Sequence, residues 1–286
     1  MMPLMSLAIR ALVGVAVFGV ALVEVACFDT FARGTVERQT ERVFTVAPGS
    51  AVQVRISGGG IRSTTGEPGT VRITLRQRIA ADSDQAADRA LADYDITLAQ
   101  EGDTVRVVAR PRGRDWTNRV QVSAALTVPS DVRLDLGTSG GGIEVSGDRR
   151  AALRAATSGG GIEVEGGAGD LLLGTSGGGI TVGRALGALS ANTSGGGIRV
   201  GYVGSAARQI ELETSGGGIA VGVDPAASLA VRAATSGGGV RIEGLPFSAE
   251  AQSRSSAQGT INDGAGRLRA ETSGGSIVVR AAAPPN

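Results

Sequence analysis

Thr-Ser-Gly-Gly-Gly-Ile stands at Thr138–Ile143 and returns at Thr157–Ile162, Thr175–Ile180, Thr193–Ile198 and Thr214–Ile219. Near-copies follow at Thr235–Val240 and Thr272–Ile277, and an early relative at Ile56–Ile61 reads Ile-Ser-Gly-Gly-Gly-Ile. The last apolar residue of successive copies falls at 143, 162, 180, 198, 219 and 240, giving steps of 19, 18, 18, 21 and 21. A period near 20 residues, built of short apolar runs, predicts an all-β fold of stacked coils, a parallel β-helix or β-solenoid. About eight or nine rungs, roughly 4.8 Å apart, fit the chain.

Each rung carries two alternating segments. One is Ile-x-Val, as in Ile162/Val164 and Ile198/Val200; the other runs into the threonine, as in Leu171/Leu173/Thr175. Alternation places those residues on one face of a strand. Thr and the following Ile are five apart, an odd spacing, so the inside–outside sense must reverse within the glycine triplet. The reading here is a corner with a bulge or a positive φ, which glycine adopts without a Cβ clash. The threonines should stack as an internal ladder, their hydroxyls bonded to neighbouring rungs or corner amides. The opposite corner varies in length, at Gly201–Arg208 and Gly244–Ser256 for example, and such a variable edge is the expected place for specific binding.

The remaining segments divide as follows. Residues 1–32 read as a signal peptide or N-terminal membrane anchor, because Arg10 precedes an apolar run from Ala11 to Val23 that ends at Glu24. Cleavage, lipidation at Cys27 and retention as an anchor all stay open. Residues 33–42 are polar and mixed in charge and read as a linker. Residues 43–283 form the single solenoid domain, with a helix at 82–94 capped by Asp82 or Ser83, and capping strands over 95–128 that include a hairpin. From residue 132 the rungs are expected to follow one another in chain order, with a degenerate rung through Ile261.

Composition narrows the chemistry. The 286 residues include 46 glycines, no histidine and one cysteine, and the net charge is +1. Lack of histidine removes the commonest general base and metal ligand. A near-neutral chain has no basic footprint for nucleic acid. The triplets lead into Ile-x-Val and not into Gly-Lys-Ser/Thr and a helix, so no phosphate loop is expected. No Asp follows at the offset a calcium-binding β-roll needs. The outward residues between Ile and Val (Glu144, Glu163, Thr181, Arg199, Ala220 and Arg241) mix signs and read as a solvated face. No cofactor, metal or catalytic residue is expected. The one candidate binding feature is the loop holding Arg110, Arg112, Arg114 and Trp116, which could grip an anionic glycan or lipid headgroup.

The order of these features resembles a known family. Val43–Pro48 with Val52-Gln53-Val54, the step Leu126-Thr127-Val128-Pro129 and the repeated Thr-Ser-Gly-Gly-x-Ile are similar to the bacterial putative adhesin domain of unknown function, related to GIN-type head domains of auto-transporter adhesins. The resemblance covers roughly Thr35 to Arg280. It implies a right-handed β-helix, an exported place in the periplasm, envelope or outside the cell, and no catalytic residue. The expected function is non-enzymatic: adhesion or scaffolding toward a protein or glycan at the envelope, with membrane association possible through the N-terminal segment. Envelope-stress sensing through a membrane partner and a carbohydrate-active enzyme are the alternatives.

Overall fold

The computed structural model describes residues 34–113 and 119–284. The apolar N-terminal segment, Cys27, Arg114 and Trp116 lie outside the described residues. The chain opens with β1 (Thr35–Thr45), β2 (Ala51–Ile56), β3 (Gly58–Gly66), β4 (Thr70–Ala80), α1 (Asp84–Ala92), β5 (Tyr94–Glu101), β6 (Thr104–Pro111) and β7 (Val120–Pro129). It then shuttles through β8 (Arg133–Thr138), β9 (Ile143–Arg149), β10 (Leu153–Thr157), β11 (Ile162–Gly167), β12 (Leu171–Thr175) and β13 (Ile180–Ala185). The shuttle continues with β14 (Leu189–Thr193), β15 (Ile198–Val203), β16 (Gln209–Thr214), β17 (Ile219–Val223), β18 (Leu229–Thr235) and β19 (Val240–Glu243). A hairpin of β20 (Phe247–Gln252) and β21 (Ser256–Ile261) precedes the final pair, β22 (Gly266–Thr272) and β23 (Ile277–Ala281).

These strands form two large, mostly parallel sheets, neither closed on itself. Strands that end in threonine build one, the Thr sheet, in the order β20-β21-β18-β22-β16-β14-β12-β10-β8-β2-β6-β5. Strands that begin at isoleucine build the other, the Ile sheet, in the order β1-β4-β7-β3-β9-β11-β13-β15-β17-β23-β19. Like residues stack on like: Leu153, Leu171, Leu189 and Ile210 share one register row, and Ile143, Ile162, Ile180, Ile198 and Ile219 share another. Their side chains are buried between the sheets and make one continuous core. Each such side chain contributes roughly 1.5–3 kcal/mol on burial.

The order of the pairs departs from the order of the chain at both ends. The pair β2/β3 sits between β6/β7 and β8/β9, although it precedes both in sequence. At the other end β22/β23 sits between β16/β17 and β18/β19. Rungs in simple succession, as the spacing predicts, therefore hold only for the middle of the stack. The segment through Ile261 is not a degenerate rung: β21 runs antiparallel to β18 and its partner β20 covers that end. From Ile261 the chain crosses beneath Leu229 and returns as β22 on the far side of β18. Asn262, at φ 51, fixes that crossing by donating its amide to the carbonyls of Pro225 (2.9 Å) and Ala227 (2.7 Å).

Residues expected to be a linker are strand. β1 pairs antiparallel with β4 from Thr35↔Ala80 to Thr45↔Thr70. Its polar sequence suits an exposed sheet edge, where charge discourages pairing with a passing chain. Glu41 pairs with Arg72, and Glu37 with Arg78 at 3.2 Å. The helix is shorter than 82–94. Ser83 caps it by accepting from the Ala86 amide at 3.3 Å, and Ala87 is its buried contact. Of the capping strands, β5 and β6 form the antiparallel hairpin in the Thr sheet, while β7 lies between β4 and β3 in the Ile sheet.

The corner triplets do reverse the inside–outside sense: Thr138 and Ile143 are both buried, on different sheets, with the glycines outside any strand. The physical reason differs from the expected one. Among the described residues positive φ occurs at eight glycines, none of them in the triplets from 140 onward. What requires glycine is close approach of backbones. A Cβ on the middle residue of the triplet would lie 2.3 Å from Gly160 O at Gly178 and 2.4 Å from Gly141 C at Gly160. No side chain fits between turns there. The threonine ladder closes on the same residue. Thr157, Thr175, Thr193 and Thr214 donate to the carbonyls of Gly141, Gly160, Gly178 and Gly196, the middle glycines one turn back, at 2.6–2.7 Å.

One buried cation holds the variable corner near its start. Arg149 is 1 % exposed, and its guanidinium donates to the carbonyls of Val128 (3.3 Å), Pro129 (2.8 Å) and Val132. Burial lowers its pKa to about 10, against a smaller opposing effect of Asp131, so it stays charged at neutral pH. Arg149→Met should lower unfolding free energy by about 3–5 kcal/mol, because three buried carbonyls lose their donor. Urea titration followed by circular dichroism measures this, and a loss under about 1 kcal/mol would contradict it.

Candidate functional site: a groove beside the glycine corner

The outward face of the Ile sheet carries one residue between each Ile and Val position. Arg62, Glu144, Glu163, Thr181, Arg199, Ala220 and Val278 occupy successive strands in register. Beside this row lies the third residue of each triplet: Gly142, Gly161, Gly179, Gly197, Gly218 and finally Ser276. Having no side chains, these glycines leave the start of each strand recessed, and the recess repeats from turn to turn. Two depressions result. The larger, about 690 Å³, runs from Arg76 and Ser123 past Gly142 and Glu144 to Thr181. The smaller, about 480 Å³, continues from Thr181 past Arg199 and Ala220 to Ser276 and Val278. Thr181 lines both, so they form one channel along the stack. It crosses nine strands, from β4 to β23, or about 38 Å at the usual strand spacing.

The electrostatics of the channel are mixed. Arg62 and Glu144 pair at 2.8 Å across adjacent turns. Glu163 and Arg199 make no ion pair among the described residues, and Thr181 stands between them. The far end, at Ala220 and Val278, is uncharged. This row was expected to be a solvated face; it also walls both depressions. The signal in the sequence was the third glycine, whose place in the triplet looks the same as its two neighbours.

The variable corner, expected to be the binding edge, is tied together by its own residues. Arg184 reaches over Gly166 to pair with Asp148, and a Cβ at Gly166 would come within 2.8 Å of Asp148 Oδ1. Tyr202 donates to Asp224 at 2.6 Å. That bond raises the tyrosine pKa and, with the Ala226 amide, lowers that of Asp224.

The predicted basic loop is only partly within the described residues. Arg110 is the penultimate residue of β6 and lies 3.6 Å from Asp95, and the Arg112 amide, just past β6, donates to the Asp93 carbonyl at 2.8 Å. Both lie at the β5/β6 end of the Thr sheet and neither lines the channel. Arg114 and Trp116 lie outside the described residues. Among the described residues, no cluster of three carboxylate, histidine or cysteine side chains has metal-site geometry, and no helix is long and apolar enough to cross a membrane.

No protein-family model matches the chain, and no curated protein is similar to it. Several solved structures are weakly similar to it. A putative cell adhesion protein from Clostridium sporogenes is 10% identical, with a TM-score of 0.37 over 85% of this chain and 99% of that one. A putative adhesin from Parabacteroides merdae is 11% identical, with a TM-score of 0.38 over 85% of this chain and 95% of that one. A putative lipid binding protein from Parabacteroides distasonis is 13% identical, with a TM-score of 0.33 over 84% and 96%. Similarity this slight says nothing of what the present chain binds.

Proposed function

We propose that the two sheets are the walls of a right-handed β-solenoid, and that the chain is an exported envelope or surface protein that works by binding, as an adhesin or scaffold. The channel of the Ile sheet carries this reading. It is long, shallow and repetitive, a shape suited to an extended protein segment or glycan strand lying along the stack, and its mixed charge disfavours a polyanion. The apolar run of residues 11–23 supports export. The groups that line the channel are charge-paired or solvent-facing, which favours recognition over catalysis.

Thr181→Trp should abolish binding without changing the melting temperature, because an exposed indole at the junction of the two depressions blocks the channel and touches no core residue. A glycan array and co-sedimentation with purified envelope polymers provide the measurement. Retention of some polymer by wild type and its loss in the variant are expected. Binding unchanged by Thr181→Trp would refute the assignment, and no polymer bound at all would refute a glycan strand as the occupant.

A further inference from the structure

The outer face of the Thr sheet has an internal order that the channel does not use. Outward residues of successive strands form a row: Asp135 on β8, Arg154 on β10, Leu172 on β12, Ser190 on β14, Glu211 on β16 and Arg269 on β22. Leu172, at 42% exposure, is one of two large apolar side chains exposed among the described residues. The neighbouring row is small beside it, at Ala156 and Gly174, while the Arg55 side chain lies over Gly137 to reach Asp135. Charge then divides on either side of that centre. Toward one end lie Arg55, Asp135 and Arg154; toward the other lie Glu211, Glu213 and Glu271, with Arg269 and Arg232.

We propose that this face binds a second copy of the chain about a two-fold axis lying along the strands between β12 and β14. Such an axis keeps strand direction and reverses strand order. The observed order, β2-β8-β10-β12 then β14-β16-β22-β18, makes the match strand by strand: β12 faces β14, β10 faces β16, β8 faces β22 and β2 faces β18. Arg154, 3.8 Å from Asp135 in its own chain, then meets Glu211 of the second copy, and Asp135, which also pairs with Arg55, meets Arg269 of the second copy, which pairs with Glu271 at 2.8 Å; each contact occurs twice and extends these ion pairs across the interface. The two Leu172 side chains flank the axis, and the small residues beside them let the sheets approach in the aligned manner of sheet-on-sheet packing. Eight strands at about 4.8 Å and five residues at about 3.3 Å give roughly 600 Å² per copy, against about 800 Å² per partner in a standard interface. The complementary rows supply orientation, since any shift by one strand sets like charges opposite each other. The channels of the Ile sheets remain free on opposite outer faces, so the pair presents two of them.

Sedimentation velocity on the full chain, with a reductant to exclude pairing through Cys27, tests the proposal. Wild type should dimerise reversibly. Leu172→Glu should leave a monomer, and Arg154→Glu should weaken the dimer by about tenfold to a hundredfold. Arg154→Glu combined with Glu211→Arg in one chain should recover it, because the swapped charges again face their opposites. All these side chains point outward, so melting curves check that each variant folds. A wild type that is monomeric at every concentration reached overturns the proposal. So does a dimer that survives Leu172→Glu, the result expected if the apolar N-terminal segment drives association, and so does a double variant no better than Arg154→Glu.

Discussion

Gly178→Ala should unfold the middle of the stack, whereas Gly179→Ser should be nearly silent. The two residues are neighbours in one triplet, and their sequence context gives no reason to separate them. At Gly178 an added methyl would sit 2.3 Å from Gly160 O, 2.4 Å from Gly160 C and 2.4 Å from Gly161 N, all backbone atoms held in ladders on either side. Relief requires the two turns to separate, which stretches the hydrogen bond from Thr175 to Gly160 O. A loss above about 4 kcal/mol is expected, the range reserved for core overpacking and severed networks. At Gly179 the nearest atoms are Gly197 O at 3.0 Å and Gly197 N at 3.8 Å, and the chain itself places Ser276 at the matching position of its last triplet. A loss within about 1 kcal/mol is expected there. Urea unfolding of both variants decides the matter, and equal losses would show that close approach is not what the glycines serve.

Ending the chain after Ala265 should destroy far more than the 21 residues removed. In a stack built in chain order the last turn is a dispensable end. Here residues 266–286 contain β22 and β23, which lie inside the stack. Their loss leaves β18 without its Leu268 and Thr272 partners and β19 without any neighbour in its sheet. It also removes the Gly275 carbonyl that accepts from Thr235 at 2.6 Å. Amides of residues 229–261 should therefore exchange with solvent at rates near those of an unfolded chain, and proteases should trim the product back toward β17. Hydrogen exchange with mass spectrometry reads this directly. Full protection across 229–261 in the truncated chain would mean that β18/β19 docks on β16/β17 unaided, against the expectation.

Much of the architecture could be read from residues. Alternation in Leu171/Leu173/Thr175 gave the buried face of β12, and the odd step from Thr175 to Ile180 gave the corner and the change of sheet. The inward threonines were legible for the same reason. Order among turns was not legible, because the copies are interchangeable: Leu268, Ala270 and Thr272 offer β16 the same row that Val231, Ala233 and Thr235 would offer. Nothing local marks one copy as the true neighbour. Charge misled at residues 33–42, where Glu37 and Glu41 suit a strand edge as well as they suit a linker. Arg149 gave no signal, since its partners are carbonyls, which every residue owns. The channel was hidden for a related reason: it is made by absent side chains at Gly142, Gly161 and Gly179, and a missing atom in a run of three glycines has no address in the sequence.

The displaced final pair also fixes a timetable. A ribosome delivers β18 and β19 before β22 and β23, so those two strands must wait, with the rim of β16/β17 bare, until residues 266–281 have been made. Any pause or premature stop in that interval exposes a sticky strand rim of the kind that seeds aggregation. Closure of the stack thereby depends on the segment that arrives after the strands it must be inserted between.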